Sequence, residues 1–306
     1  MRIVDRAIVS TLPAVPRPVV RRVAGRYVAG ETLDRAIEQV RRLNAAGEMA
    51  TIDVLGEFAS AAAEAEATVS EYLAALDQIA AGGLDANVSV KLSALGLEFD
   101  RDLALENIRR LVRAATDQGS SVRIDMEHSG LTDATFEIYR TLRDEGLDRC
   151  GVVIQSYLRR SLRDVRALAP LTPNVRLVKG IYVEPQAIAY TDPGIIQRNF
   201  VELLEELVAA GSYVAVATHD RVLVDEALRV VDRHRLERSD YEFQTLLGVA
   251  EQMRSDLVQA GHRVRVYVPY GNAWYGYAMR RLRENPAIAG HVARDVLRAP
   301  WSVFSV

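Results

Sequence analysis

Val175-Arg176-Leu177-Val178-Lys179-Gly180-Ile181, then the amphipathic run Ile195–Ala210, Gly211 and Tyr213-Val214-Ala215-Val216-Ala217 form the stretch whose reading decides the fold. The outer pieces are short, apolar and rich in β-branched residues, as buried strands are. The middle piece carries the 3.6-residue spacing of a helix. Gly211 falls just past it, where a C′ glycine ends a helix. Strand, helix, strand is the repeating unit of a parallel sheet.

The same unit recurs on both sides. Candidate strands are Met49–Leu55, Asn87–Leu92, Val122–Met126, Val152–Ser156, Val175–Ile181, Tyr213–Ala217, Glu242–Leu246 and Arg263–Val268. Helical patterns fill the intervals: Glu57–Ala81, Asp102–Gln118, Asp133–Glu145, Ser161–Ala169, Ile195–Ala210, Arg221–Arg235 and Val249–Ala260. Gly82, Gly119, Gly146, Gly211 and Gly261 each sit at a helix end. Eight such cycles predict an α/β fold, a (β/α)8 barrel of TIM type. The chain has no G-x-G-x-x-G, so the phosphate fingerprint of a doubly wound sheet is missing. Residues 1–48 read as an N-terminal helical arm, with helices over Val19–Tyr27 and Thr32–Ala46 and Thr32 as an N-cap. Residues 49–306 read as the barrel, with no second-domain boundary.

At 306 residues, 49% hydrophobic and 26% charged, the chain can bury a large core. A net charge of −3 argues against a nucleic-acid partner, because phosphate neutralisation needs a basic surface. Cys150 is the only cysteine, which excludes an intrachain disulfide and fits a reducing compartment. The first residues lack the apolar core of a signal peptide, and no stretch approaches the ~20 apolar residues of a membrane span. A cytoplasmic protein is expected.

Only Lys91 and Lys179 are lysines among 38 Lys and Arg residues, and each closes a β-branched run. A buried run ending in a cation reads as a strand that opens into a site, and barrel chemistry collects at C-terminal strand ends. The residues there are polar: Lys91, Asp125 with Glu127 and His128, Gln155, Arg176 through Lys179, Thr218 with His219, Gln244 and Tyr267. Arg176 starts its run, so pattern alone leaves it unassigned. Gln155, Thr218 and Gln244 read equally well as satisfied rim residues. After Tyr270-Gly271, with Asn272 as a candidate N-cap, Tyr277, Arg280, Arg281 and Glu284 share one helical face. That face is either a solvated Arg–Glu surface or a receptor for a small carboxylate, which forked guanidinium groups match. Lys91 or Lys179 would also suit a Schiff-base aldolase. Glu127, His128, His219 and Asp220 would suit a metal-dependent hydrolase, although no H-x-H or H-E-x-x-H spacing occurs and no metal is expected. A barrel serving only as a binding module is the remaining alternative.

The run Arg265-Val266-Tyr267-Val268-Pro269-Tyr270-Gly271, followed by Tyr277-x-x-Arg280-Arg281-Leu282-x-Glu284, resembles the signature of the proline dehydrogenase family. Lys91-Leu92-Ser93, Asp125-Met126-Glu127, Gln155-Ser156-Tyr157-Leu158, Arg176 through Tyr182, Ala217-Thr218-His219-Asp220 and Glu242-Phe243-Gln244 agree in order and type. The resemblance spans Ala50 to Pro286 and is similar to the short, monofunctional bacterial enzymes. It implies a distorted barrel that binds FAD non-covalently. The implied reaction oxidises L-proline to 1-pyrroline-5-carboxylate by hydride transfer to flavin N5, the first step of proline degradation to glutamate. The resemblance further implies that electrons pass to a quinone through peripheral contact with the inner face of the membrane, and that the product goes to a separate pyrroline-5-carboxylate dehydrogenase. By position, Arg280, Arg281 and Lys91 would hold the carboxylate and Asp125 would orient them. Tyr267, Tyr277 and Leu246 would wall the ring, with Glu284 on the same face. Arg176 would serve both catalysis and the flavin. Met126, Gln155, Lys179, Gly180, Ile181, Tyr182, Thr218 and His219 would line the FAD site. Ile181 departs from the alanine common in the family.

Overall fold

The structure, a computed structural model, describes residues 25–56 and 58–284. Eight parallel strands close a barrel in chain order: β1 (Met49–Val54), β2 (Ala86–Val90), β3 (Val122–Ile124), β4 (Cys150–Gln155), β5 (Asn174–Val178), β6 (Tyr213–Ala217), β7 (Tyr241–Leu246) and β8 (Val264–Tyr270). The seam is β1 on β8, paired from Met49↔Arg265 to Val54↔Tyr270. The described helices are α1 (Leu33–Ala45), α2 (Ala62–Ala81), α3 (Arg101–Asp117), α4 (Thr132–Asp144), α5 (Ser161–Leu168), α6 (Pro193–Ala209), α7 (Arg221–His234), α8 (Glu251–Gln259) and α9 (Trp274–Glu284). The predicted TIM-type barrel is the observed fold.

Strand alternation divides the core into two chemistries. One set of side chains is aliphatic and fully buried: Ile52, Val88, Val90, Ile124, Val152, Val175, Leu177, Val216, Val266 and Val268. Each contributes about 1.5–3 kcal/mol by leaving water. The alternate set is polar and reaches across the barrel. Arg176 of β5 meets Ser89 of β2, and Arg123 of β3 donates to the Asn174 carbonyl of β5 at 2.7 Å. At the lower end Arg265 Nε donates to both oxygens of Glu242, at 2.9 and 3.1 Å, and the Tyr213 hydroxyl donates to Glu242 at 2.8 Å. Burial pushes the Glu242 carboxyl up, but Arg265, Gln244 and Tyr213 together outweigh it and hold it at about 2.

Several boundaries differ from the sequence reading, each for a local reason. Helix α2 begins at Ala62 rather than at residue 57, because Phe58 has φ +64 and the chain there is not helical. After α2 the left-handed residue is Gly83, at φ +57, whereas Gly82 stays right-handed at φ −84. Strand β5 stops at Val178 because Gly180 turns the chain at φ +112. Thr32 stands at the N-cap position of α1 but its side chain makes no capping bond. Asp100, Asp192 and Asp220 do cap α3, α6 and α7. Of the expected helix Val19–Tyr27, residues 19–24 lie outside the described residues and 25–27 form a turn. Asn272 lies in the turn before α9, which starts at Trp274.

Helix α1 buries Ala36, Ile37, Val40 and Leu43 and packs on β1 and β8, so it joins the layer around the barrel. Among the described residues no helix is long and apolar enough to cross a membrane.

Candidate active site

The C-terminal strand ends bring a set of charged side chains together inside the mouth. Arg176, 5% exposed, lies mid-strand in β5, and its long side chain reaches upward through the interior. Its Nη1 donates to Asp125 Oδ1 at 2.5 Å and to Ser89 Oγ at 3.1 Å, and its Nε donates to Gln244 Oε1 at 2.6 Å. The Gln244 amide nitrogen donates downward to Glu242 Oε1, which fixes which end of the amide faces Arg176. Asp125 follows β3, and its own N–H donates to the Val90 carbonyl at 2.8 Å. Its second oxygen accepts the Tyr267 hydroxyl at 3.1 Å, and the Arg176 guanidinium stands 5.3 Å from the centre of the Tyr267 ring. Burial, then the Asp125 and Asp53 charges, push the Tyr267 phenol well up. Tyr277 of α9 adds a smaller push in the same direction.

Lys91 follows β2 and stands 3.3 Å from Asp53 Oδ1. Burial pushes the Asp53 carboxyl up; Lys91 pulls it down and Asp125 pushes it further up. Asp53 and Tyr72, which lies beside it, were not among the residues expected from sequence. The available signal was a carboxylate alternating with aliphatic residues in a buried strand.

A second group lies at the ends of β4 to β7. Lys179 pairs with Asp220 Oδ2 at 2.5 Å, and Gln197 donates to the same oxygen at 2.8 Å. Burial pushes the Asp220 carboxyl up, but Lys179 and Gln197 outweigh it and hold it below its usual range. Thr218 Oγ accepts the Asp220 N–H at 3.1 Å, and exposed His219 accepts the Leu246 N–H on Nε2 at 3.0 Å. Gln155, buried, donates to the Glu127 carbonyl at 3.1 Å, and Met126 is buried beside it. At Gly180 an added Cβ would lie 2.1 Å from Tyr157 Cδ1, so the backbone passes directly over that ring. Ile181 is 43% exposed on the rim, and Tyr182 meets His128 edge-on at 6.5 Å. Arg280, Arg281 and Glu284 belong to α9, but their side chains lie outside the described residues.

The rival chemistries fare poorly in this arrangement. Lys179 is locked in an ion pair, and Lys91 faces a buried carboxylate. The four hydrolase candidates are drawn apart: Glu127 bonds Ser93, His128 faces Glu98, His219 bonds Leu246 and Asp220 pairs with Lys179. Among the described residues no group of three or more His, Cys, Asp or Glu could hold a metal ion.

The family model described as proline dehydrogenase matches residues 36–294. The chain belongs to the proline dehydrogenase family. Proline dehydrogenase 1 of Bacillus subtilis subsp. natto is 40% identical over 275 residues, covering 90% of this chain and 91% of the relative. Proline dehydrogenase of Deinococcus radiodurans is 39% identical over 280 residues, covering 90% of each. The crystal structure of proline utilization A (PutA) from Bdellovibrio bacteriovorus, inactivated by N-propargylglycine, shares the fold with a TM-score of 0.82 and 23% identity. It is matched over 91% of this chain, which spans 36% of that longer one.

A proline dehydrogenase site must accept a cofactor, and two features of this one fit a flavin. Arg176 Nη2 is buried and has no hydrogen-bond partner among the described residues, so a donor is held ready. The Lys179 ammonium, paired with Asp220 at the strand ends, sets a compact cation on the rim, which suits an anionic cofactor.

Proposed function

We propose that this chain oxidises L-proline to 1-pyrroline-5-carboxylate with non-covalently bound FAD. The observation that carries the reading is the Lys91–Asp125–Arg176–Tyr267 constellation at the strand ends of a barrel whose sequence belongs to the proline dehydrogenase family. Bound FAD supplies the two-electron acceptor for the hydride that leaves proline C5. Lys91 offers the substrate carboxylate a compact point charge, and Arg280 and Arg281 offer planar forks. Asp125 holds Arg176 and Tyr267 in one geometry, so orientation is set before substrate arrives. Tyr267, Tyr277 and Leu246 wall the pyrrolidine ring, and Glu284 sits on the same face of α9. Arg176 would present the two N–H groups of its Nη2 to the flavin and stabilise negative charge that builds there. Lys179, Gly180, Ile181, Tyr182, Thr218, His219, Gln155 and Met126 line the cofactor. The ring nitrogen gives up its proton to solvent as C5 gives up the hydride, which leaves the imine product.

Electrons then pass to a quinone, reached by peripheral contact at the inner face of the membrane, and a separate dehydrogenase takes the product. We assign residues 49–306 to one cytoplasmic catalytic barrel and residues 1–48 to an N-terminal arm whose helix α1 packs on that barrel.

Anaerobic titration of the purified yellow protein with L-proline tests the reading. The flavin absorbance should bleach stoichiometrically, and heat should release free FAD into the supernatant. A colourless protein, released FMN, or flavin retained on the precipitate would overturn it.

A further inference from the structure

Lys91 carries its charge on a four-carbon stem with several rotatable bonds, so holding its ammonium at one point needs a fixed partner. Asp53 supplies one. Its side chain is 1% exposed, and Oδ1 lies 3.3 Å from Lys91 Nζ. Tyr72 of α2 reaches the same oxygen at 3.4 Å, yet its single proton goes to the Ser89 carbonyl at 2.7 Å. The Tyr72 hydroxyl also accepts the Val54 N–H at 3.2 Å, so one phenol ties the ends of β1 and β2 together. The Oδ1 of Asp53 is thereby left for the ammonium. Its Oδ2 is buried and has no hydrogen-bond partner among the described residues. A carboxylate kept only for stability would have both oxygens satisfied, because a buried unpaired acceptor is costly. Asp53 bears such a cost next to a group at the mouth.

We propose that Asp53 is a positioning residue for substrate binding: it fixes the Lys91 ammonium at the barrel mouth, and Tyr72 fixes the strand ends that carry the pair. The Ser89 that accepts Arg176 on its hydroxyl gives its carbonyl to Tyr72, so the buttress reaches both cations. This rests on the reading that Lys91 meets the proline carboxylate.

The test uses flavin-loaded full-length protein. The readouts are kcat and KM for L-proline, and the inhibition constant of cyclopentanecarboxylate, a ring acid with no nitrogen. Asp53→Asn should raise KM and the inhibition constant about tenfold, the scale of one charge-assisted hydrogen bond, with a smaller effect on kcat. Asp53→Glu should recover part of the loss. In a Lys91→Met background Asp53→Asn should add no further penalty, because its effect passes through Lys91. Penalties that multiply independently would overturn the inference, as would an unchanged inhibition constant in Asp53→Asn when Lys91→Met raises it. If Lys91→Met itself leaves the constant unchanged, the substrate contact assigned to Lys91 fails and takes the inference with it. Should Asp53→Asn not fold, Tyr72→Phe is measured in the same two backgrounds. A rise in the constant that depends on Lys91 supports the buttress, and no rise overturns it.

Discussion

A methyl group at Gly180 has nowhere to go. The added carbon would lie 2.1 Å from the Tyr157 ring at a backbone φ of +112. Tyr157 cannot retreat, because its N–H is bonded to the Lys179 carbonyl at 2.8 Å and its carbonyl accepts Tyr190 N–H at 2.7 Å. Gly180→Ala should therefore lower stability by about 2–5 kcal/mol from backbone strain and overpacking together. It should also displace Lys179, so the flavin-to-protein ratio should fall with the melting temperature. Wild-type values of both would remove Gly180 from the cofactor wall. Tyr267 allows a finer dissection. Tyr267→Phe keeps an aromatic wall near Arg176 but leaves Asp125 Oδ2 without its 3.1 Å donor. Its kcat/KM for proline should fall about tenfold. Tyr267→Ser removes the wall and should lower the preference for proline over trans-4-hydroxyproline, chiefly through lost proline activity. Comparable turnover of both substrates by the wild type would contradict a tight ring pocket. Arg176 shows the limit of reading residues from a pattern. It stands too early in its strand to look like a mouth residue, and only the length of its side chain carries its charge to Asp125.

At the scale of elements, strand positions were readable because buried strands must be apolar on the face under the helices, whatever the interior does. The interior was readable in part. Thr51 and Asp53, Asn87 and Ser89, Arg123 and Asp125 alternate with aliphatic residues, and that period of two marks a polar lumen. Which of them touch was not readable, since Arg176 and Ser89 lie on strands separated by two others. Helix ends were misplaced where one backbone angle decided them, as at Phe58 and Gly83. Helix α9 carries the remaining element-scale claim. Its Tyr277 acts on the Tyr267 phenol, which places that part of the helix beside the mouth. If Arg281 reaches the proline carboxylate from the same helix, Arg281→Met should weaken binding by about 2–4 kcal/mol, read as a raised KM. Arg281→Lys should restore only part, because the fork is lost. An unchanged KM in either variant would put that face in solvent.

For the whole molecule, two buried acids respond to pH with opposite signs. Burial raises the carboxyl of Asp53, so its ionised form weighs against folding and acid relieves that cost. Glu242 is lowered from 4.5 to about 2, burial being outweighed by Arg265, Gln244 and Tyr213. Its contribution is therefore fully present above about pH 4.5 and is lost as pH falls through about 2. The shift corresponds to on the order of 3 kcal/mol. Glu242 also holds the amide of Gln244, which in turn holds Arg176, so one hydrogen-bonded chain runs from the base to the mouth. Glu242→Gln mimics the protonated acid and leaves Arg265 without its counter-charge. At neutral pH it should melt well below the wild type, because breaking a buried pair costs about 3–5 kcal/mol. As pH falls from about 4.5 to about 2 the two melting temperatures should converge, since over that window the wild type loses the stability that its ionised Glu242 supplies and the variant never had. Melting curves of both proteins from pH 7 downward read this directly. A gap that stays constant to low pH would mean that Glu242 stabilises the barrel by shape and hydrogen bonding, with its charge contributing nothing.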